Sequence, residues 1–144
     1  MKKYTLIGLA IILITGLVAA GCSSSTNKKS YTFAPLEDFP EEVQLAPVSV
    51  QQAYQFAAAN PEVLKEIPCY CGCGAMGHTS NYACYIQDES NPDSLVFDGH
   101  ALGCSICIDI TFDTMDMLDQ GMKLPEIRSE IDTIYSAFGP SNMP

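Results

Sequence analysis

Three cysteines at alternate positions, Cys69, Cys71 and Cys73, constrain this chain more than any other feature. An extended backbone would direct all three side chains to the same side. Gly72 and Gly74 also permit the positive φ angles with which a loop can curl around an ion. So many thiols in so short a stretch make a poor hydrophobic core segment. The pattern therefore predicts either a metal-binding loop or a set of disulfides with distant partners.

Further sulfur and imidazole side chains follow closely along the chain. Residues 69–107 contain six of the seven cysteines and both histidines. Each histidine follows a glycine, which is more typical of a loop than of a core position. Thiolate and imidazole are common ligands of zinc, and thiolates also suit copper(I). We therefore predict a transition-metal site, copper or zinc, with the candidate ligands Cys69, Cys71, Cys73, His78, Cys84, His100, Cys104 and Cys107.

The first 21 residues are typical of a bacterial lipoprotein signal peptide. Lys2 and Lys3 precede an uncharged apolar run over residues 6–20, and small residues lead directly to Cys22. The apolar run is short for a membrane-spanning helix, and such a segment is removed from the mature protein. We expect Cys22 to carry the lipid and to anchor the protein at the extracytoplasmic face of the cell membrane.

The rest of the sequence divides into a tether, one small domain and a tail. Residues 22–47 are rich in polar residues and proline, and we interpret them as a flexible tether. Residues 48–139 carry helical periodicity and the cysteines, and we interpret residues 140–144 as a tail. The sequence predicts an all-α domain of about four helices around a Cys/His-rich loop.

Hydrophobic periodicity places these helices. One is expected to begin after Ser49 as its N-terminal cap, with Val50, Ala53, Tyr54 and Ala57 on its buried face, and a short second helix begins at Asn60-Pro61. Residues 81–87 are interpreted as one or two helical turns that carry Cys84, and residues 95–97 as a brief strand or extended strut. A long helix follows Gly103, and its first turn places the Cys104 and Cys107 thiolates at the positive end of the helix dipole. The last helix is expected to bury Ile127, Ile131, Ile134 and Phe138.

The charge of the chain excludes one class of partner. Seventeen acidic residues outnumber seven basic ones. Because nucleic-acid phosphates attract positive charge, this balance argues against nucleic-acid binding. No basic patch is present to hold a membrane surface, so membrane attachment depends on the lipid of Cys22. The sequence identifies no protein partner.

Several short segments together resemble a known family. They are the hexapeptide over residues 68–73, Gly77-His78, Cys84-Tyr85 and the stretch over residues 103–107. The chain from about Val48 to Phe138 is similar to the bacterial lipoproteins named for their PCYCGC motif. The resemblance implies a lipoprotein but assigns no activity, because that family has no characterised function.

Two alternatives to metal binding remain open. The six cysteines beyond Cys22 could form three disulfides in an oxidising compartment. The pair Cys104 and Cys107 has the spacing of a dithiol oxidoreductase, although without the βαβ context of that fold, and the same cysteines could hold an iron–sulfur cluster. Nothing in the sequence supports a hydrolytic enzyme, since no nucleophile with its base is evident. We favour metal binding because ligand density and compartment both agree with it.

Overall fold

The computed structural model describes residues 31–91 and 94–143. The expected signal peptide, Cys22 and the first part of the expected tether lie outside the described residues. Within the described ranges, no helix is both long enough and apolar enough to cross a membrane.

Helices form most of the described structure. Five α-helices occur within the described ranges: α1 (Glu41–Gln44), α2 (Val48–Ala59), α3 (Pro61–Leu64), α4 (Ser105–Asp119) and α5 (Leu124–Tyr135). Helix α4 packs against both α2 and α5. Short 3₁₀ turns occur in the connections, at Leu36–Asp38, Cys73–Met76, Tyr82–Cys84 and His100–Gly103. The Cys/His region lies between α3 and the first turn of α4.

Helix α2 agrees with the periodicity of its sequence. Its predicted inner face, which consists of Val50, Ala53, Tyr54 and Ala57, is buried. The helix runs from Val48 to Ala59, so Pro47 and not the expected Ser49 occupies its N-cap position, and Asn60 is its C-cap. The Asn60 amide group donates to the Phe56 carbonyl at the end of α2 and to the Thr32 carbonyl. Pro61 then occupies the first position of α3, where its missing N–H costs no helical hydrogen bond.

The buried face of α5 differs from the prediction. Ile127 and Ile131 are buried as expected, but Ile134 and Phe138 are 42% and 62% exposed. The third buried position is Tyr135, whose hydroxyl donates to Asp113 of α4 at 2.7 Å. Helix α5 ends at Tyr135. The prediction had extended the helical periodicity to Phe138, which lies beyond the end of the helix.

The prediction of an all-α domain is wrong. Strand β1 (Ile86–Asp88) pairs antiparallel with β2 (Val96–Phe97), with Ile86 opposite Phe97 and Asp88 opposite Val96. The segment that was interpreted as helical turns up to residue 87 is helical only at Tyr82–Cys84, as a 3₁₀ turn. Strands of three and two residues are too short to show a period of two in the sequence. The domain is therefore mainly helical with one small sheet.

The described part of the expected tether packs on the domain. Tyr31, Phe39 and Val43 are buried. The ring of Tyr31 meets that of Phe56 edge to face at 5.1 Å, and the ring of Phe39 lies 4.7 Å from that of Phe97. These aromatic contacts contribute hydrophobic burial, so residues 31–47 belong to the folded unit.

Candidate metal centre

The triple-cysteine motif forms a loop that is attached at Tyr70 and turns at Gly72. Cys69 and Cys71 bring their sulfurs to 3.4 Å from each other. The Tyr70 hydroxyl between them donates to Asp132 on α5, which attaches the loop to that helix. Gly72 has a φ of +83°, a left-handed conformation that strains other residues, and it leads the chain into the 3₁₀ turn that begins at Cys73. The loop therefore curls at Gly72 as the sequence indicated, whereas Gly74, the other glycine expected to allow such a turn, does not have a positive φ.

Asn142 holds this loop from the last part of the described chain. Its side-chain oxygen accepts the Cys69 N–H at 2.7 Å, and its own backbone N–H donates to the Cys69 carbonyl at 3.1 Å. Its amide group also donates to the Cys73 sulfur at 3.5 Å. A Cβ at Gly74 would lie 3.3 Å from that of Asn142, so the small residue at position 74 leaves room for this contact. Asn142 thus positions two predicted ligands.

The first donor set is buried beneath the loop. Cys69, Cys71, Cys73 and Cys84 offer sulfurs that all lie within 4.8 Å of one another. Three of them are buried, and Cys71 is partly exposed. Cys84 ends the 3₁₀ turn after Asn81, and its sulfur lies 3.6 Å from that of Cys73. We refer to these four residues as the inner set.

The second donor set lies where the loop meets α4. Cys71, His100, Cys104 and Cys107 offer one donor atom each within 4.8 Å of one another. His100 begins the 3₁₀ turn before α4, Cys104 immediately precedes α4, and Cys107 lies in its first turn. Only Cys107 of the four is fully buried. We refer to these residues as the outer set; Cys71 belongs to both sets.

The distances between donors fit coordination to an ion. Sulfur pairs lie 3.4 Å apart for Cys69 and Cys71, 3.6 Å for Cys69 and Cys107, and 3.7 Å for Cys71 and Cys107. A disulfide needs sulfurs at about 2.05 Å, and the six cysteines of the described chain are free thiols. Four thiolates around zinc at about 2.3 Å form a tetrahedron with an edge of about 3.8 Å. The two sets could therefore hold metal ions.

Ionisation of the clustered thiols is unequal. Hydrogen bonds from Cys107 and Cys84 lower the pKa of Cys69. Burial raises the pKa of Cys71 and of Cys73, and the neighbouring Cys69 thiolate raises them further. Thiolates this close together repel one another unless a positive charge lies between them. A bound cation would supply the positive charge that several adjacent thiolates require.

The surroundings of Cys107 oppose the expected effect of the helix dipole on its pKa. Cys107 lies in the first turn of α4, where the dipole favours a thiolate. The hydrogen bonds with Cys69 and Cys84, together with burial, nevertheless raise its pKa. Burial and the contacts with neighbouring sulfurs therefore oppose the effect of the helix dipole at Cys107.

His78 lies beside the two sets without joining either. Its Nε2 is 3.4 Å from a carboxylate oxygen of Asp98, and its ring meets that of His100 edge to face at 5.2 Å. Its Nδ1 is buried and has no hydrogen-bond partner among the described residues. Asp98 also accepts the backbone N–H of His100 at 2.7 Å. Of the eight predicted ligands, the structure therefore brings seven into the two sets and places His78 next to them.

Buried polar groups fix the position of Cys107. Its carbonyl accepts hydrogen bonds from the Tyr85 hydroxyl at 2.8 Å, from the Asn81 amide at 3.3 Å and from the Thr111 hydroxyl at 3.0 Å. Asn81 is completely buried, and its backbone N–H donates to the Ile67 carbonyl just before the motif. These contacts hold the start of α4 against the ligand loop.

Sequence reasoning did not identify Asn81, Asp98 or Asn142. Each is an ordinary polar residue in a loop, and its role depends on contacts with distant residues. For Asn81 the sequence did contain a signal, because this residue lies between Ser80 and Tyr82 and close to the cysteines. Nothing near Asn142 indicated that it reaches Cys69, since 73 positions separate the two residues.

The fold and the donor sets define a class of protein: a small, mainly helical, cysteine-rich domain whose clustered Cys and His residues could hold metal. The chain belongs to the family described as protein of unknown function with PCYCGC motif, which it matches over residues 11–142. The family resemblance of the sequence is thereby confirmed. Searches among curated proteins and among solved structures gave no significant match.

Proposed function

We propose that this chain is a membrane-anchored, extracytoplasmic lipoprotein that binds copper or zinc through the inner and outer sets. The observation that carries the proposal is the convergence of six thiols and one imidazole on one place in the fold. Buried thiols at these distances are costly to ionise unless a cation lies among them. Their clustering therefore favours a site that holds a metal cation.

The chemistry of the donor atoms limits which metal ions can bind. Thiolate and imidazole are soft or borderline ligands, which select zinc, copper(I) and similar ions over magnesium or calcium. No carboxylate belongs to either set. A four-sulfur inner set and a three-sulfur, one-nitrogen outer set are both known types of tetrahedral zinc coordination. Copper(I) would use the same sulfurs.

The location rests on the sequence. The basic start, the apolar run over residues 6–20 and the small residues before Cys22 support lipidation of Cys22 and attachment at the extracytoplasmic face. The acidic composition supports neither nucleic-acid binding nor electrostatic attachment to a membrane. In that location the protein would bind, buffer or deliver the ion beside the membrane.

Native mass spectrometry tests the metal proposal. The chain from residue 22 onward, with Cys22→Ala to prevent lipidation, contains every residue that the structure describes. It is purified without added metal or reductant, measured native and denatured, and analysed for its elements. A mass excess that is lost on denaturation supports the proposal and identifies the ion. A loss of hydrogen masses with no metal would instead indicate disulfides and contradict it. Failure of the reduced protein to take up either copper or zinc at micromolar concentration would also contradict the proposal.

The anchor is tested separately. In cells that express the full chain, the wild type is expected in the membrane fraction and accessible to protease in intact spheroplasts. Cys22→Ala should lose metabolic labelling with a fatty acid. Unchanged labelling of that variant would contradict lipidation of Cys22.

A further inference from the structure

Cys71 is common to the two donor sets. Its sulfur lies 3.4 Å from that of Cys69 in the inner set, and 3.7 Å from that of Cys107 and 3.4 Å from His100 Nε2 in the outer set. Two four-coordinate ions that share one ligand need seven donor atoms. The two sets together contain seven.

We propose that the two sets form one binuclear centre in which the Cys71 thiolate bridges two metal ions. This inference rests on the proposed function and specifies its stoichiometry and geometry. A thiolate sulfur keeps several lone pairs after it loses its proton, so it can bind two cations at once. Among the described residues, Cys71 is the donor that belongs to both sets and can therefore do so.

Charge supports two ions over one. Six thiolates and a neutral imidazole around a single divalent ion would leave four negative charges in a largely buried place. A second divalent ion reduces this excess to two. Because uncompensated charge in a protein interior is costly, full ionisation of the six thiols favours occupancy of both sets.

The two ions would differ in access. Cys69, Cys73 and Cys84 are buried, so an ion in the inner set is enclosed by protein. His100 and Cys104 are partly exposed, and Cys104 also lines an open surface pocket of about 340 Å³. We therefore expect the outer ion to exchange with solution and the inner ion to be retained.

Cadmium tests the bridge directly. ¹¹³Cd²⁺ is a thiophilic divalent ion with a nuclear spin, and it is titrated into the reduced chain from residue 22 onward with Cys22→Ala. The expected result is two bound ions in native mass spectrometry and two ¹¹³Cd resonances that show scalar coupling to each other. Brief treatment with EDTA should give a species with one ion. Removal of both ions together would contradict the difference in access.

Three variants assign the ligands. Cys84→Ser is expected to shift mainly the resonance of the inner ion, and Cys104→Ser mainly that of the outer ion. Cys71→Ser is expected to shift or abolish both and to remove the coupling. Ser105→Ala is a matched control, because this exposed residue adjoins Cys104 and belongs to neither set. It should leave both resonances unchanged.

The outcomes separate the bridge from the proposed function. Binding of one ion, or of two ions without coupling, would overturn the bridge and leave the metal-binding function intact. Binding of no ion would overturn both. If Cys71→Ser does not fold, the coupling in the wild-type protein alone decides the question.

Discussion

The side-chain oxygen of Asn142 accepts the backbone N–H of Cys69 at 2.7 Å, and the backbone N–H of Asn142 donates to the Cys69 carbonyl at 3.1 Å. This double contact holds the first cysteine of the motif from a segment outside the Cys/His region. Together with the amide contact to Cys73, it makes Asn142 a positioning residue for the inner set.

Asn142→Ala should lower metal affinity without changing stoichiometry. The variant keeps all seven donors but loses both side-chain contacts to the loop, and loss of such supporting contacts costs about 10-fold or more in affinity. Competition with a chromophoric chelator measures the change. Ser136→Ala, an exposed change just after α5, is the control and should keep wild-type affinity. Equal affinities for wild type and Asn142→Ala would refute a positioning role.

The two histidines should respond differently to substitution. His100 belongs to the outer set, whereas His78 belongs to neither set. His100→Ala is therefore expected to weaken binding of the outer ion by at least ~10-fold, and His78→Ala to retain both ions. Isothermal titration with Zn²⁺ under reducing conditions measures both. Loss of an ion in His78→Ala would show that its ring moves to become a ligand.

Removal of metal should lower thermal stability. An ion that binds only the folded chain adds about 2.7 kcal/mol at a free concentration 100 times its Kd. For a domain of this size that corresponds to a decrease in Tm of roughly 10–20 °C on chelation. Differential scanning calorimetry with and without EDTA, in the presence of reductant, measures the shift. A Tm that is insensitive to EDTA after verified metal loss would contradict coupling between the ion and the fold.

Gly139→Ala should destabilise the protein. A Cβ at this position would lie 2.9 Å from the Tyr70 carbonyl oxygen, closer than side-chain carbons approach backbone. Relief of this overlap must move the chain after α5 or the ligand loop, at about 1–3 kcal/mol. Gly103→Ala is the matched control, because its Cβ would meet nothing within 4 Å. Urea unfolding compares the two, and equal free energies of unfolding would contradict the close approach.

Tyr135→Phe should lower the free energy of unfolding at neutral pH. It should also make that free energy decline less as the pH rises above 10. The hydroxyl bonds to Asp113, and removal of such a bond to a charged group costs about 1–3 kcal/mol. Burial and the Asp113 carboxylate raise the pKa of Tyr135 above its usual value of 10.0. The folded state therefore favours the protonated phenol, and this stabilisation is complete below pH 10 and declines as pH rises above it.

Urea unfolding at pH 7.5 and at pH 10.5 measures the Tyr135 effect. The difference in free energy of unfolding between the two pH values should be smaller in Tyr135→Phe than in the wild type. Other buried tyrosines would still contribute to the decline. Identical pH dependence in the two proteins would contradict the assignment to Tyr135.

Local sequence patterns predicted the elements with clear periodicity. Helix α2 and its buried face followed from the spacing of Val50, Ala53, Tyr54 and Ala57, because apolar spacing alone defines such a face. The identity of the candidate ligands followed from their chemistry. The brief strand or extended strut that was expected over residues 95–97 corresponds to β2. Strand β1 did not follow from the sequence, because it is stabilised by pairing with β2 and shows no period of its own.

Relationships between distant residues could not be predicted. Cys69 and Cys107 meet at 3.6 Å across 38 positions, and their grouping into sets depends on how α4 packs. The presence of Cys71 in both sets also depends on how α4 packs. Tyr135 and not Ile134 or Phe138 is the third buried position of α5, and its hydroxyl donates to Asp113 of the neighbouring helix, a contact that α5 alone does not predict.

The contact between Asn142 and Cys69 also determines when the centre can be completed. During synthesis Cys69 precedes Asn142 by 73 positions, a delay of roughly 4–15 s at usual elongation rates. All seven donor residues are synthesised before Asn142, the residue that fixes the position of Cys69. A nascent chain can therefore capture ions with its thiols before it has the native loop, and correct loading depends on a segment that is made after all of the donors.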